Sequence, residues 1–196
     1  SLDEWGVLAA PQFLGRAVGA ATFGRFRQNS LAAVSPHIIP QHSLHSVPGT
    51  ISIALGMHGP NFGIGGGPEA LVEGLTAALT FLQHGSLPGV WLVLTQWIPE
   101  PAPDAAGTVA DDLVCSGVAL ALVPGDRHES ALQFHEGPAL PGFDPARPGQ
   151  QLPLADLAAY LRNPSGHGPG GVWTCPMPWG GRVDLLLRQQ RKLKAA

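Results

Sequence analysis

The chain has 196 residues, 44% of them apolar and 13% charged, and a formal net charge of −3. This length supports one sizeable core, and the charge gives no electrostatic basis for nucleic-acid binding. No apolar run approaches the roughly 20 residues of a membrane-spanning helix. Two cysteines are too few for a disulfide framework. Asp3 and Glu4 stand where a signal peptide would be basic, so we expect a cytoplasmic protein.

The first 55 residues predict one strand and two helices. Residues 5–10 (W-G-V-L-A-A) form an apolar run that is typical of a buried strand. Residues 14–27 favour a helix, although three glycines weaken it. A second helix is predicted within residues 41–55, which a Pro-Gly pair interrupts unless the helix begins there. Its inward-facing residues are expected to be Ile51, Ala54 and Leu55.

Residues 56–85 predict a short strand, a tight turn and an amphipathic helix, and the other elements are arranged around this stretch. The turn is assigned to Gly65, Gly66 and Gly67, because only glycine takes a positive φ and a close backbone approach at low cost. A strand, turn and helix of this kind hold a nucleophile or bind an anion in several enzyme families.

The helix after this turn is predicted to begin at Pro68, where a missing N–H is not needed and a fixed φ helps. Glu69 suits the positive end of the helix, and Gly85 is the expected C-cap. The apolar residues at helical spacing are Leu71, Leu75, Ala78, Leu79 and Leu82. Backbone N–H groups around Gly66 to Glu69 could form a weak anion nest, or the turn could be purely structural.

Residues 90–95 (V-W-L-V-L-T) are almost wholly apolar and predict a central strand that is buried on both faces. Such a strand favours a parallel or mixed sheet in an α/β fold. Residues 117–123 predict another buried strand, and residues 131–135 are expected to pair beside it as a hairpin.

The last third of the chain predicts fewer regular elements. A short helix is predicted for residues 154–161, whose apolar face is Leu154, Leu157, Ala158 and Leu161. Two prolines exclude a regular central strand in residues 173–179. The end of the chain, residues 182–194, has helix or strand potential and five basic residues.

Several of these segments match a known family in the same order. They are S-P-H-I-I-P, H-S-V-P-G-T-I-S-I-A-L-G-M-H-G-P-N, the glycine turn with its helix, V-W-L-V-L-T and C-S-G-V-A-L-A-L-V. This series, best matched in residues 35–125, resembles the N-terminal half of a β-ketoacyl synthase of the thiolase-like superfamily. The resemblance implies an α/β fold, a thiolase-like half-fold with a mixed central sheet packed with helices. It also implies that residues 1–196 are a single β-ketoacyl synthase N-terminal-like domain.

The sequence departs from this family in two ways. The cysteine nucleophile of the family would align with Pro68, so the thiol that accepts the acyl chain is missing. The catalytic histidines of the family lie in a second half, which this chain is too short to contain. We therefore expect an apolar face where the second half would pack, and hence an oligomer.

The resemblance also implies a strand that pairs across a two-fold axis in a dimer. Its residues here would be Asn61, Phe62, Gly63 and Ile64.

Three functions remain open at this point. The first is a non-catalytic ketosynthase-like subunit or scaffold in fatty-acid, polyketide or aryl-polyene-type biosynthesis. It would pair with an active ketosynthase-type subunit or an acyl carrier protein. The second is an acyltransferase or condensing enzyme with a relocated nucleophile, for which Cys175 and Cys115 are the candidates. The third is a module that binds an acyl chain in an apolar groove.

Other residue patterns give weaker signals. Histidines cluster at His37, His42, His45 and His58. His42 and His45 could share a helix face and a metal, but no carboxylate or cysteine nearby completes a ligand set, and we predict neither a metal nor a cofactor. The basic residues within 188–194 form a solvated end or contact an acidic acyl carrier protein.

Overall fold

The computed structural model describes residues 2–84, 87–99, 108–109, 111–125, 131–138, 154–166 and 171–187. The strands and α-helices in chain order are β1 Gly6–Pro11, α1 Arg16–Asn29, α2 Ile38–His42, α3 Ser46–Leu55, β2 Asn61–Gly63, α4 Ala70–His84, β3 Val90–Ile98, β4 Val114–Leu122, β5 Ala131–His135, α5 Leu154–Arg162, β6 Val172–Pro176 and β7 Arg182–Leu186. Single 3-10 turns lie at Leu31–Ala33 and Pro164–Gly166.

The first sheet has four strands in the order β2-β1-β3-β4. Strands β2 and β3 run parallel to β1, whereas β4 runs antiparallel to β3, so the predicted mixed sheet is confirmed. All six residues of β1 are buried. Strand β3 is central, but buried residues alternate along it with half-buried ones, so only one of its faces lies fully in the core.

Two expectations about the strands after β3 are wrong. Strand β4 is an edge strand of the first sheet, and Val118 is the one buried residue of its nine. An edge position leaves one side of β4 without a partner strand among the described residues, and the alternate residues Cys115, Gly117, Ala119 and Ala121 are exposed. The hairpin partner is also different, because β5 pairs with β7 and not with β4.

A second sheet, in the order β5-β7-β6, is antiparallel throughout. Its inner face is formed by buried residues such as Trp173, Val183 and Leu185. Helix α4 contacts β1 and β3 of the first sheet and also β5 and β7 of the second. Helix α4 therefore packs against both sheets. Strand β6 contains Pro176 only as its last residue and lies at the sheet edge, where proline is tolerated.

Helix α4 lies very close to the first sheet at Gly74. A Cβ atom at Gly74 would be 2.6 Å from the Ala10 Cβ and 3.1 Å from the Leu94 Cδ2. The buried residues of the helix are Ala70, Val72, Gly74, Leu75 and Ala78. The predicted apolar face is thus correct at its centre, while its rim, Leu71, Leu79 and Leu82, is half-buried. The predicted C-cap, Gly85, lies outside the described residues.

Helix α3 packs on the opposite face of the first sheet. The Cβ position of Gly63 points at the Leu44 backbone just before α3, whereas the neighbouring Phe62 contacts Phe81 of α4, with ring centroids 5.2 Å apart. Successive residues of a strand point to opposite faces, so α3 and α4 lie on either side of the sheet.

The single helix predicted within residues 41–55 is two helices, α2 and α3. The buried residues of α3 are Pro48 and Ser52. The prediction that Ala54 and Leu55 face inward is wrong, since both are exposed. Residues 48 and 52 are one helical turn apart and lie on the same side of the helix, which is the side that faces the sheet.

Helix α5 is joined to the second sheet by Tyr160, the one tyrosine in the sequence. Its fully buried hydroxyl accepts a hydrogen bond from the Leu187 N–H at 2.9 Å. The same hydroxyl lies 2.7 Å from the Gly171 carbonyl oxygen and 2.8 Å from that of Leu185, so it can donate to one of them. The predicted face of this helix included Leu154 and Leu157, which are buried, but it missed Tyr160. None of the helices in the described ranges is long and apolar enough to cross a membrane.

We expect Gly74→Val to lower the free energy of unfolding by about 1–3 kcal/mol, because the added carbons would push α4 away from β1 and β3. The matched control is Gly19→Val in α1, where a Cβ would meet no atom within 4 Å. Urea unfolding of both variants measures the difference. Equal stabilities would show that the contact at Gly74 adapts without cost.

Candidate functional site

The turn between β2 and α4, residues 65–69, is tight, and we call it the elbow. Gly65 and Gly66 have φ angles of 81° and 94°, which side-chain-bearing residues rarely adopt. The expectation for Gly67 is wrong: its φ is not positive, and a Cβ there would meet no atom within 4 Å. Before the turn, the Ile64 N–H donates to the Ala9 carbonyl at 2.8 Å, which joins the elbow to β1.

Helix α4 begins at Ala70, so the prediction that Pro68 is its first residue is wrong. The Ala70 N–H bonds the Gly67 carbonyl at 3.3 Å in a tighter turn, and the Glu73 N–H bonds the Glu69 carbonyl at 3.0 Å. Pro68 therefore lies in the turn that precedes the helix, and its side chain is exposed.

Two carboxylates lie at the elbow. Burial raises the pKa of Glu73, and the neighbouring charge of Glu69 raises it further. A Cβ on Gly65 would lie 2.9 Å from Glu73 Oε2, so this carboxylate packs directly against the turn. An anion at Gly65 would have to approach both negative side chains, and the positive end of the helix is partly neutralised by them.

A small cleft opens beside the elbow, at the carboxyl ends of the parallel strands β1 and β3. This is the edge of an α/β sheet at which ligands commonly bind. Its cavity volume is about 10 Å³, which is room for about one water molecule. The lining residues are Ala10, Gln12, Pro68, Leu71, Leu94, Thr95, Gln96 and Leu154.

Two buried glutamines hold the walls of this cleft together. Gln12, which follows β1, donates from Nε2 to the Pro68 carbonyl at 3.3 Å. Gln96 of β3 accepts the Leu154 N–H at 2.7 Å and so satisfies a free N–H group at the start of α5. Sequence reasoning missed both residues. The sequence did contain a signal, because each glutamine lies within or directly after an apolar strand, where a buried polar group needs a hydrogen-bond partner.

The two cysteines lie away from the elbow cleft. Cys115 is exposed on the edge strand β4, opposite Trp97. Cys175 is buried in β6 of the second sheet, opposite Val183. Burial raises the pKa of the Cys175 thiol to about 12. Neither cysteine lines the cleft.

The structure does not bring the predicted histidines together as a metal site. Within the described ranges, no group of three or more His, Cys, Asp or Glu side chains could hold a metal ion. His58 instead pairs with the Asp3 carboxylate near the start of the chain. The basic residues within 188–194 lie outside the described residues.

The architecture is similar to that of a solved protein. A chain in the structure of a ketosynthase (ApeO) in complex with its chain length factor (ApeC), from Xenorhabdus doucetiae, matches with a TM-score of 0.59 and 16% sequence identity. The match covers 93% of this chain and 69% of that chain. This chain has a ketosynthase-like fold. The thiolase-like α/β class expected from the sequence is thereby confirmed. No protein-family model and no curated protein matches the chain.

The buried thiol of Cys175 makes the stability of this ketosynthase-like fold depend on pH. Its pKa rises from 9.0 to about 12 on folding, so the folded state keeps a proton that the unfolded state loses above pH 9. The contribution of this thiol to the free energy of unfolding is constant below pH 9 and falls by about 1.4 kcal/mol per pH unit between pH 9 and about 12.

Urea unfolding at pH 8 and pH 10 measures this effect. We expect a smaller loss of stability over this range in Cys175→Ala than in the wild type, because every other contribution to the pH dependence is common to both. Cys115→Ala, which removes an exposed thiol, is the control. Equal pH dependence in the wild type and Cys175→Ala would contradict the assignment.

Proposed function

We propose that this protein is a non-catalytic ketosynthase-like subunit or scaffold in fatty-acid, polyketide or aryl-polyene-type biosynthesis. One observation carries the proposal. On a ketosynthase-like fold, the glycine elbow between β2 and α4 is present, but the residue after its glycines is Pro68. A framework that keeps its elbow without a nucleophile supports a role in recognition.

Proline at the elbow leaves the condensation reaction of a ketosynthase without a nucleophile at this position. Condensation needs a thiolate to hold the acyl chain and N–H donors to stabilise the developing oxyanion. Pro68 supplies neither a thiol nor an N–H group. The Glu73 carboxylate, which packs against Gly65, would disfavour a thiolate or an oxyanion at this place.

The two alternative functions have less support in the described residues. A thiol whose pKa is about 12, as in Cys175, is protonated at neutral pH and a poor nucleophile. Cys115 is accessible but lies outside the cleft. An acyl-chain module needs a larger pocket than the cleft offers, since the cleft has a cavity volume of only about 10 Å³, room for about one water molecule.

The proposed partners are a ketosynthase-type subunit and an acyl carrier protein. The similar structure is of a ketosynthase in complex with its chain length factor, so a chain in that structure assembles with a partner chain. We propose a comparable association for this chain, in the cytoplasm and without a cofactor.

The test offers this protein an acylated carrier protein and an active ketosynthase encoded beside it. We expect binding to at least one of them and no covalent acyl adduct by intact-mass spectrometry. Pro68→Cys is the comparison variant, because it places a thiol at the elbow and shows whether that position can accept an acyl group.

An acyl adduct on wild-type Cys115 or Cys175 would replace the proposal with the relocated-nucleophile enzyme. The absence of binding to either partner would also overturn it. Loss of an adduct in the matching Cys→Ala variant would locate the thiol.

We further propose that β2 and the following Ile64 form the strand that pairs with another subunit. Strand β2 is at the edge of the first sheet. The Val7 N–H bonds the Pro60 carbonyl and the Ile64 N–H bonds the Ala9 carbonyl, both at 2.8 Å. Backbone groups alternate in direction along a strand, so those of Asn61 and Gly63 point away from β1 and can accept a further strand.

We expect Asn61→Pro to weaken this association about tenfold, because it removes one outward N–H and hence about one hydrogen bond. Asn61→Ala is the matched control, since it keeps that N–H and loses only the side chain. Sedimentation of the chain alone, and mixed with the ketosynthase, measures both variants. Equal association constants for the two variants would place the contact elsewhere.

A further inference from the structure

The charges of this protein are divided unevenly along the sequence. No Asp or Glu occurs between Glu4 and Glu69. This acid-free segment, residues 5–68, contains three of the 11 Lys and Arg residues, whereas the other eight and all 14 acids lie outside it. The segment therefore carries a formal charge of +3 and the rest of the chain −6. An asymmetry of this kind indicates a surface that meets a partner of opposite charge.

The most exposed element of the acid-free segment is α1. None of the α1 side chains that the structure describes is buried. A Cβ on Gly19 or on Gly24 would meet no atom of another element within 4 Å. These two glycines are five residues apart, or about 140° around the helix. Two different sides of α1 thus have no packing partner in the described part of the chain.

The exposed side chains of this region are of the kinds that anchor protein interfaces. Phe23 is 72% exposed, Phe26 is 43% exposed, and Leu31 in the adjoining 3-10 turn is 76% exposed. Arg25 and Arg27 are also exposed. Arg27 follows Phe23 by four residues and lies on the same side of α1 as Phe23 and Phe26, whereas Arg25 lies on a different side. Aromatic residues and arginine are enriched at interfaces and among the residues that contribute most to binding.

A helix of this kind needs a partner for stability. An isolated helix of this length is marginal in water, and each glycine costs it about 1 kcal/mol relative to alanine. Pairing α1 with its own copy would bring two segments of charge +3 together. The charge therefore favours a different, acidic surface over a second copy.

We propose that α1 and the adjoining 3-10 turn form the docking site for the acidic surface of an acyl carrier protein. This inference rests on the proposed function, which supplies the carrier protein as a partner. Phe23 and Phe26 contact an apolar part of the carrier surface, and Arg27, on the same side of α1, pairs with its carboxylates at the rim. The site is separate from the elbow and from the β2 edge.

The experiment is a calorimetric titration of the full chain with the purified acyl carrier protein, at low and at physiological salt. We expect Arg27→Glu to bind about tenfold or more weakly, with a smaller salt dependence. Arg162→Glu is the matched control, because Arg162 is an exposed arginine in the last turn of α5, as Arg27 is in α1. It should bind like the wild type. Phe23→Ser should weaken binding at both salt concentrations, since its contribution is apolar.

Each result separates this inference from the proposed function. Carrier binding that survives in the Arg27 and Phe23 variants would overturn the α1 site and leave the proposed function intact. A wild-type chain that binds the ketosynthase but no carrier protein would do the same. Failure to bind either protein would overturn both.

A further arm uses vesicles of phosphatidylserine and phosphatidylcholine, because exposed aromatic and basic residues also bind anionic membranes. Vesicle binding that is lost in the same variants, without carrier binding, would reassign α1 to a lipid surface.

Discussion

The closeness of α4 to the first sheet is the constraint on which the other features depend. Gly74 lets the helix lie against Ala10 and Leu94, so the start of α4 and the elbow come to the carboxyl ends of β1 and β3. Helix α4 also contacts β5 and β7 of the second sheet. The absence of a side chain at Gly74 thus sets the distance between α4 and the first sheet, and close-packed interiors leave little room to change it.

The elbow of this protein combines a tight glycine turn with side chains that supply no nucleophile. Gly65 and Gly66 make the turn, but Pro68 has neither a thiol nor an N–H group, and the Glu73 carboxylate packs against Gly65. Geometry and reactivity are separable here because the turn is determined by backbone dihedral angles, while reactivity is determined by one side chain and the local charge.

The sequence predicted well those elements whose apolar pattern is long and local. Strand β1, helix α4 and strand β3 follow directly from period and composition, and the order of motifs indicated the ketosynthase-like fold. The second sheet was not predicted as a sheet, because β5 and β7 are short and pair across some 50 residues, for example Ala131 with Leu186. Local patterns carry no information on such pairing. The elbow was located, but Gln12 and Gln96 were not, since their importance depends on which carbonyl or N–H group the fold places beside them.

Two backbone amides, one at the first residue of α5 and one just after β7, donate hydrogen bonds to side chains, and this has a consequence for hydrogen exchange. The Leu154 amide is held by Gln96 of the first sheet, and the Leu187 amide is held by Tyr160 of α5. Neither amide belongs to a regular ladder, so each is protected from solvent deuterium only while a different element stays in place. The exchange rate of the Leu154 amide therefore reports when α5 separates from the first sheet, and that of the Leu187 amide reports when α5 separates from the second sheet.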